Sequence, residues 1–455
     1  MRSPTVPSLH STASMNLTDK DLTIFWHRRD LRADDNAGLF KALDESENVL
    51  PLFIFDSNIL DELEDKDDQR VVFIHDYLSD LKEKYEKSGG SMLVKHGKPK
   101  EIWQQLTREY KIKAVYTNTD YEPYARERDE WVADFLKDQD VAFYCVKDQI
   151  IFEKDEVVKG DGDPYLVFTP YMKKWKGRFK EEDAAAFDSE GLLKDKLCKT
   201  DALPMLSLKD IGFERGETFF PPQDPDLETI KKYEDRRDIP SVKGTSRMSV
   251  HLRFGTVSIR TLTRIGRKHS EKWLNELIWR NFYMVVLWHF PHAATKALKP
   301  EYDNIPWRND EKEFEAWCEG KTGYPIIDAG MRELNETGFM HNRVRMIVAS
   351  FLVKHLLIDW RWGEAYFARK LLDYELASNN GGWQWAAGSG CDAAPYFRIF
   401  NPELQVDKYD SDYKYINKWV PEFETKDYPD RIVAHKPARE RALETYKDAL
   451  GYGDS

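Results

Sequence analysis

The strongest constraint on the fold is a change of rhythm along the chain. From residue 22 to residue 146, short apolar runs at 22–27, 49–56, 92–96, 114–118 and 141–146 alternate with stretches of helical spacing at 71–85, 100–110 and 126–137. Strand–helix–strand order implies parallel strands, with the crossing helices covering both faces of the sheet. The spacing therefore predicts a five-stranded parallel, Rossmann-like α/β domain over 21–146. Residues 147–215 are rich in Lys, Asp, Gly and Pro and read as an interdomain linker. From about residue 216 the strand signals vanish. Leu274, Leu277 and Ile278 repeat at helical spacing, as do Val344, Ile347, Val348, Phe351 and Leu352, which predicts an all-helical domain over 216–455.

At 455 residues the chain exceeds one ordinary domain, in keeping with that division. A net charge of −12 argues against indiscriminate binding of polyanions but leaves room for a local basic groove. No apolar run reaches the length of a membrane span. Cys145, Cys198, Cys318 and Cys391 are scattered without a close pair, so neither a disulfide framework nor a metal site is expected, and a reducing cytoplasm fits. Residues 1–20 are rich in Ser and Thr, lack an apolar core and contain a second methionine, Met15. They read as a disordered tail or a misplaced start, and not as a secretory signal.

Several motifs carry chemistry, each with a bland alternative. No Gly-x-Gly-x-x-Gly follows the first strand; the chain reads Trp26-His27-Arg28-Arg29-Asp30-Leu31-Arg32 instead. Three arginines there can bind an anion at the carboxyl edge of the sheet or form a surface ion-pair network. Lys173, Lys174, Lys176, Arg178 and Lys180, around Trp175, form a solvated helix face or a DNA contact. Gly244-Thr245-Ser246-Arg247-Met248-Ser249 can be a plain helix cap or a phosphate cradle. Glu276, Trp279 and Arg280 share a helix face, as do Asn342, Arg345 and Met346. Arg345, if buried, requires a carboxylate. Finally, Asp373-Tyr374-Glu375 precedes Asn379-Asn380-Gly381-Gly382-Trp383-Gln384-Trp385. Glycines admit close approach, amides hydrogen-bond ring nitrogens, and indoles offer large faces. This is a pocket wall for a planar heteroaromatic or a Gly-kinked turn between core helices.

The order of these residues resembles the flavin-binding core of the photolyase/cryptochrome family, and the resemblance extends over nearly the whole chain. It is most similar to the class I members that repair cyclobutane pyrimidine dimers. It implies a U-shaped FAD in the helical domain. Thr245, Ser246, Arg247, Met248 and Ser249 would hold its diphosphate, and Tyr233 would close over it. Trp273, Glu276, Arg280, Asn342, Arg345, Asp373, Glu375 and Asn379 would line its pocket. Asp373 would pair with Arg345, and Asn379 would face flavin N5. Glu276 would grip the flipped-out lesion between Trp279 and Trp385, with Met346 touching it. Arg237, Asn342, Arg343 and Arg398 would face the DNA. Trp383, Trp360 and Trp307 match an electron relay running outward from the flavin. The implied activity is light-driven repair, in which photoexcited reduced FAD lends an electron to the dimer. The partner is UV-damaged DNA, single- or double-stranded, and the protein is expected to be a monomer that binds neither metal nor membrane.

Three features refine this expectation. Asn379 and Met346, and the lack of a long C-terminal extension beyond Ser455, are expected to favour repair over a cryptochrome-type signalling flavoprotein. The lone His341 favours cyclobutane dimers over (6-4) lesions. The family commonly has Asp-Gly-Asp where this chain has Asp373-Tyr374-Glu375, and the Asn-Glu pair that contacts a folate antenna is missing from Tyr121-Glu122-Pro123-Tyr124-Ala125-Arg126. An antenna, if there is one, is therefore expected to be of flavin or deazaflavin type.

Overall fold

The computed structural model of the chain describes residues 17–217 and 219–451. Its N-terminal half holds β1 (Asp21–His27), β2 (Val49–Asp56), β3 (Leu93–Gly97), β4 (Lys111–Asn118) and β5 (Ala142–Val146), all parallel, in the order β3-β2-β1-β4-β5. The predicted strands are all present, within a few residues at their ends. β2 is buried along its whole length, as a central parallel strand covered on both faces must be. Alternate residues face opposite layers. Phe25, Phe53 and Phe55 pack with Leu39, Leu43, Val71 and Leu78 on one side, while Ile24, Trp26, Leu50 and Leu52 pack with Trp103, Leu106 and Val132 on the other.

The helices Gln69–Lys87, Pro99–Glu109 and Pro123–Lys137 coincide with the three predicted ones. A fourth, Ala37–Glu45, was not read from the sequence; Asn36 caps it by accepting from Leu39 N at 3.1 Å. Residues 1–16 of the expected tail lie outside the described residues. Leu17–Asp19 forms a short 3-10 turn with Leu17 buried.

The connector does more than span a gap. Leu193, Leu197, Ile211 and Phe213 pack into the sheet's core, while Phe152, Phe168, Tyr171 and Trp175 pack into the helical half. The Trp175 indole donates to Asn281 Oδ1 at 3.0 Å, whereas Lys173 and Lys174 on the same helix, Phe168–Arg178, are exposed. The solvated-face reading of that basic run fits this placement.

Among the described residues no strand follows Val146. Helices Glu271–His289, Asn342–Ser350, Trp360–Lys370 and Leu376–Ala387 form the frame of the second half. The arginines after β1 fasten the halves together. Arg29 donates to Asp120 (3.2 Å), Glu122 (2.8 Å) and Glu375 (2.8 Å); Arg32 and Arg260 share Asp148 at 2.6 and 2.8 Å. Of the two readings of these arginines, the ion-pair network is the one present, but it is buried and not on the surface.

Candidate functional site

The site is assembled from segments far apart in sequence. Ser270 caps the helix Glu271–His289 by accepting from Trp273 N. That fixes the start of the helix, and buried Trp273 then donates through its indole to Ser246 Oγ at 3.1 Å. The hydroxyl of Ser246 is thus tied to the helix and does not cap its own segment. The following short helix, Ser249–Phe254, has Met248 at its cap position with no side-chain bond, so the plain-cap reading of this segment does not describe it. Arg247 adopts a left-handed backbone (φ 54°) and places its guanidinium 4.1 Å above the Phe339 ring.

One turn along the same helix, Glu276 accepts from Arg237, which also lies 5.2 Å over Tyr233. Burial pushes the Glu276 carboxyl up, and Arg237 offsets only part of that rise. Trp279 stacks on Phe168 with ring centres 3.7 Å apart. Arg280 is buried and donates to Glu375 Oε1 (3.1 and 2.9 Å) and to the carbonyls of Gln149 and Leu252.

His341 caps the helix Asn342–Ser350, accepting from Arg343 N at 3.1 Å. Burial pulls its imidazole down to about 4, so it is neutral at pH 7. Asn342 is exposed at the helix start, and Arg343 donates to Asp238 at 2.7 Å and to the Met346 sulfur at 3.7 Å. Arg345 donates to both oxygens of Asp373, at 3.1 and 3.0 Å, so the carboxylate that Arg345 was expected to require is in place.

Residues 376–387 form a continuous helix, not a kinked turn. A Cβ on Gly381 would sit 2.3 Å from the Tyr283 ring; this glycine lets the helix approach Glu271–His289. A Cβ on Gly382 would meet nothing within 4 Å, so this side of the helix is open. Asn379 and Trp385, three residues before and after Gly382, share that side. Trp385 is half-buried, with exposed Arg398 5.9 Å over its ring. Trp383 and Trp360 are buried at 2% exposure each, and Trp307 is half-buried, so exposure rises from the first to the last of the three.

A cavity of about 610 Å³ is lined by Arg247, Ser249 and Asp373, together with Phe339, Glu333 and Lys418. Residues nominated from separate motifs therefore meet at one space. Sequence reasoning missed Phe339, which lies under both Arg247 and Arg345 (4.1 and 5.8 Å), although it stands only two positions before His341. It also missed Glu364, which accepts from Asn379 Nδ2 at 2.9 Å and occupies an unremarked position in the helix Trp360–Lys370. Glu375, nominated as a pocket residue, bonds through Oε1 to Arg29 and Arg280 and through Oε2 to Ser378.

Residues 273–427 match the sequence family described as the FAD binding domain of DNA photolyase, and residues 23–188 the family described as DNA photolyase. The deoxyribodipyrimidine photo-lyase of a Synechococcus species is 39% identical over 427 residues, covering 88% of this chain and 87% of that relative. A bacterial class III photolyase from Agrobacterium tumefaciens superposes with a TM-score of 0.80 at 33% identity, covering 97% of this chain and all of the other. An archaeal photolyase from Sulfolobus tokodaii, solved with two FAD molecules, superposes with a TM-score of 0.79 at 33% identity over 94% of this chain.

Proposed function

Since the chain belongs to the photolyase/cryptochrome family and is a deoxyribodipyrimidine photo-lyase, we propose that its helical half binds FAD and a flipped-out cyclobutane pyrimidine dimer side by side. The observation that carries this reading is the meeting of Arg247, Ser249 and Asp373, from separate motifs, around one cavity. The residues present fit the cofactor. The bare side of Gly382 leaves room for a flat ring, Arg247 supplies a cation for the diphosphate beside Ser249, and the Arg345–Asp373 pair stands ready to balance charge.

FAD, when bound in its reduced form and excited by light, supplies the electron that splits the dimer and takes it back, so there is no net redox change. The protein's part is to position and to exclude. Thr245–Ser249 hold the diphosphate, with Tyr233 closing over it and Trp273 bracing Ser246. Arg345, paired with Asp373, stabilises negative charge near the ring. Asn379 hydrogen-bonds the ring edge. On the lesion side, Glu276 turns its carboxyl to a pyrimidine edge, Trp279 and Trp385 bracket the rings, and Met346 packs against them. Arg237, Arg343, Asn342 and Arg398 receive the DNA backbone. Extrusion of a damaged base costs less than that of an intact one, because its pairing and stacking are already weakened. Binding weakens with salt as phosphate contacts release counterions. Trp383, Trp360 and Trp307 pass electrons inward to restore the reduced cofactor.

For a second chromophore, the expected class is a flavin or deazaflavin. Glu122, in the segment where a folate pair is missing, is taken up by Arg29 and Arg253, both at 2.8 Å. The Sulfolobus relative, solved with two FAD molecules, is a precedent for the flavin option. Among the described residues no helix is long and apolar enough to cross a membrane. A monomer in the cytoplasm is the proposed state. The test is to incubate the reduced protein with a thymine-dimer oligonucleotide under blue light and in the dark. Light-dependent recovery of intact thymines is expected. Repair of (6-4) lesions alone would overturn the lesion assignment, and normal flavin photoreduction without any repair would point to a signalling role.

A further inference from the structure

Two cations and two anions meet at the mouth of the proposed site, and they neutralise one another. Arg237 donates to Glu276, and its Nε lies 3.8 Å from Asp238 Oδ1. The same Asp238 Oδ1 accepts from Arg343 Nε at 3.2 Å and from Arg343 Nη2 at 2.7 Å. Arg343 Nη1 points to the Met346 sulfur at 3.7 Å, and its guanidinium lies 4.6 Å from the centre of the Tyr409 ring. A chain Glu276–Arg237–Asp238–Arg343–Met346 thus joins two residues assigned to the lesion through two assigned to DNA. Asp238 is the one link to which that assignment gives no part.

The edge that Asp238 occupies decides what it can do. Nε and Nη2 form one of the edges by which a guanidinium grips a carboxylate or a phosphate with paired donors. A DNA phosphate that takes Arg343 by this edge must displace Asp238. The Asp238 side chain is 43% exposed, against 16% for each arginine, so it stands on the solvent side of the pair, where DNA arrives. Burial pushes its carboxyl up, and Arg343, then Arg237, more than offset that rise, so it is ionised at pH 7. His341, the third group at this corner, is neutral there and adds no cation to hold it.

We propose that Asp238 is an internal stand-in for a DNA phosphate, which competes with the DNA backbone for Arg343 and Arg237 and so loosens the protein's hold on DNA, damaged or mended. The proposal rests on the reading that these two arginines face DNA. A binding surface that is partly held closed has its affinity reduced to the fraction that is open. Once DNA is in place, the displaced carboxylate stands beside a phosphate of like charge and favours release. The arginines draw the polyanion to a chain of net charge −12, and Asp238 limits how tightly the repaired strand is kept.

The test measures equilibrium binding of the FAD-loaded protein, in the dark and at low salt, to a duplex oligonucleotide with one thymine dimer and to the same duplex undamaged. Asp238→Asn should tighten binding to both by about twofold to fivefold, the worth of a partly exposed ion pair. Asp238→Glu keeps the anion and should stay near wild type. Arg343→Gln should weaken binding, and adding Asp238→Asn to it should recover less than Asp238→Asn gains alone. If Asp238→Asn weakens binding or leaves it unchanged while Arg343→Gln weakens it, there is no competition and the proposal is overturned. A gain from Asp238→Asn that is as large without Arg343 also overturns it, since the carboxylate then acts on DNA directly. If neither Arg343→Gln nor Arg237→Gln weakens binding, the assignment of these arginines to DNA fails and takes the proposal with it.

Discussion

Replacing Glu375 by glutamine keeps the shape of the side chain and removes only its charge. The carboxylate is buried at 5% exposure. Its Oε1 receives Arg29 Nη2 at 2.8 Å and Arg280 Nε and Nη2 at 3.1 and 2.9 Å, while Oε2 accepts from Ser378 at 2.8 Å. A carboxamide can retain the bonds to both arginines. What is lost is the countercharge. Arg29 keeps Asp120 and Glu122, but the remaining bonds of Arg280 go to carbonyls, so one buried guanidinium is left without an anion. Removing one partner of a buried pair costs about 3–5 kcal/mol, and because the bonds survive the low end applies, about 3 kcal/mol.

The assay is urea unfolding of the flavin-free protein at pH 7, followed by tryptophan fluorescence. If a stranded cation is the cause, Arg280→Met added to Glu375→Gln should be less damaging than the two single losses summed, by roughly 2 kcal/mol of coupling. The acid limb is an independent check. Burial pushes the Glu375 carboxyl up, but Arg280, then Arg29 and Arg253, more than offset it, so its folded pKa lies below the ordinary value. A depressed carboxylate contributes stability above its unfolded pKa of about 4.3 and loses it as pH falls through the folded value. The gap between wild type and variant should therefore hold from neutral pH down to about pH 5 and narrow progressively below that, closing only once the pH has fallen through the lowered folded value. A loss under about 1 kcal/mol at pH 7, or a gap that persists in acid, would refute the reasoning.

Three other outcomes are expected. Glu276→Gln should retain FAD but lower repair by about tenfold or more, the worth of a charged hydrogen bond, in a light-dependent repair assay; undiminished repair removes Glu276 from the lesion site. Trp360→Phe should slow light-driven reduction of the flavin at least about tenfold, since an aromatic ring that is harder to oxidise breaks the relay, while chemically pre-reduced enzyme repairs normally; equal photoreduction rates by transient absorption dismiss the relay. The neighbouring glycines should behave oppositely. Gly381→Ala forces a Cβ to 2.3 Å from Tyr283 and should destabilise by about 1–3 kcal/mol, whereas Gly382→Ala meets no protein atom, should gain up to about 1 kcal/mol of helix stability, and should weaken FAD binding in equilibrium titration. Unchanged FAD affinity in Gly382→Ala shows that the ring does not lie against that side.

What could be read in the sequence divides along a physical line. The sheet was legible because parallel strands buried on both faces are written as apolar runs, and β2 shows this at all eight positions. That Arg345 needs a carboxylate was legible because a cation placed among apolar helix positions demands an anion nearby, whereas the choice of Asp373, 28 residues on, came from the family resemblance. The Ala37–Glu45 helix escaped because nine residues give little more than two turns of pattern. The linker escaped in another way. Its composition is polar, yet single aromatics such as Phe168 and Trp175 anchor it, and a lone aromatic carries no period. The arginines after β1 were the hardest case. The sequence left anion site and ion-pair network equally open, because the acids that decide between them lie 91, 93 and 346 residues from Arg29. Local periodicity reports which side of an element is buried; it holds no record of which distant charge is buried opposite. That is also why Glu364 went unnoticed. An acidic residue on a mixed helix is normally solvated, and only the fold, by setting Asn379 and Tyr374 against it, makes it the partner of that amide.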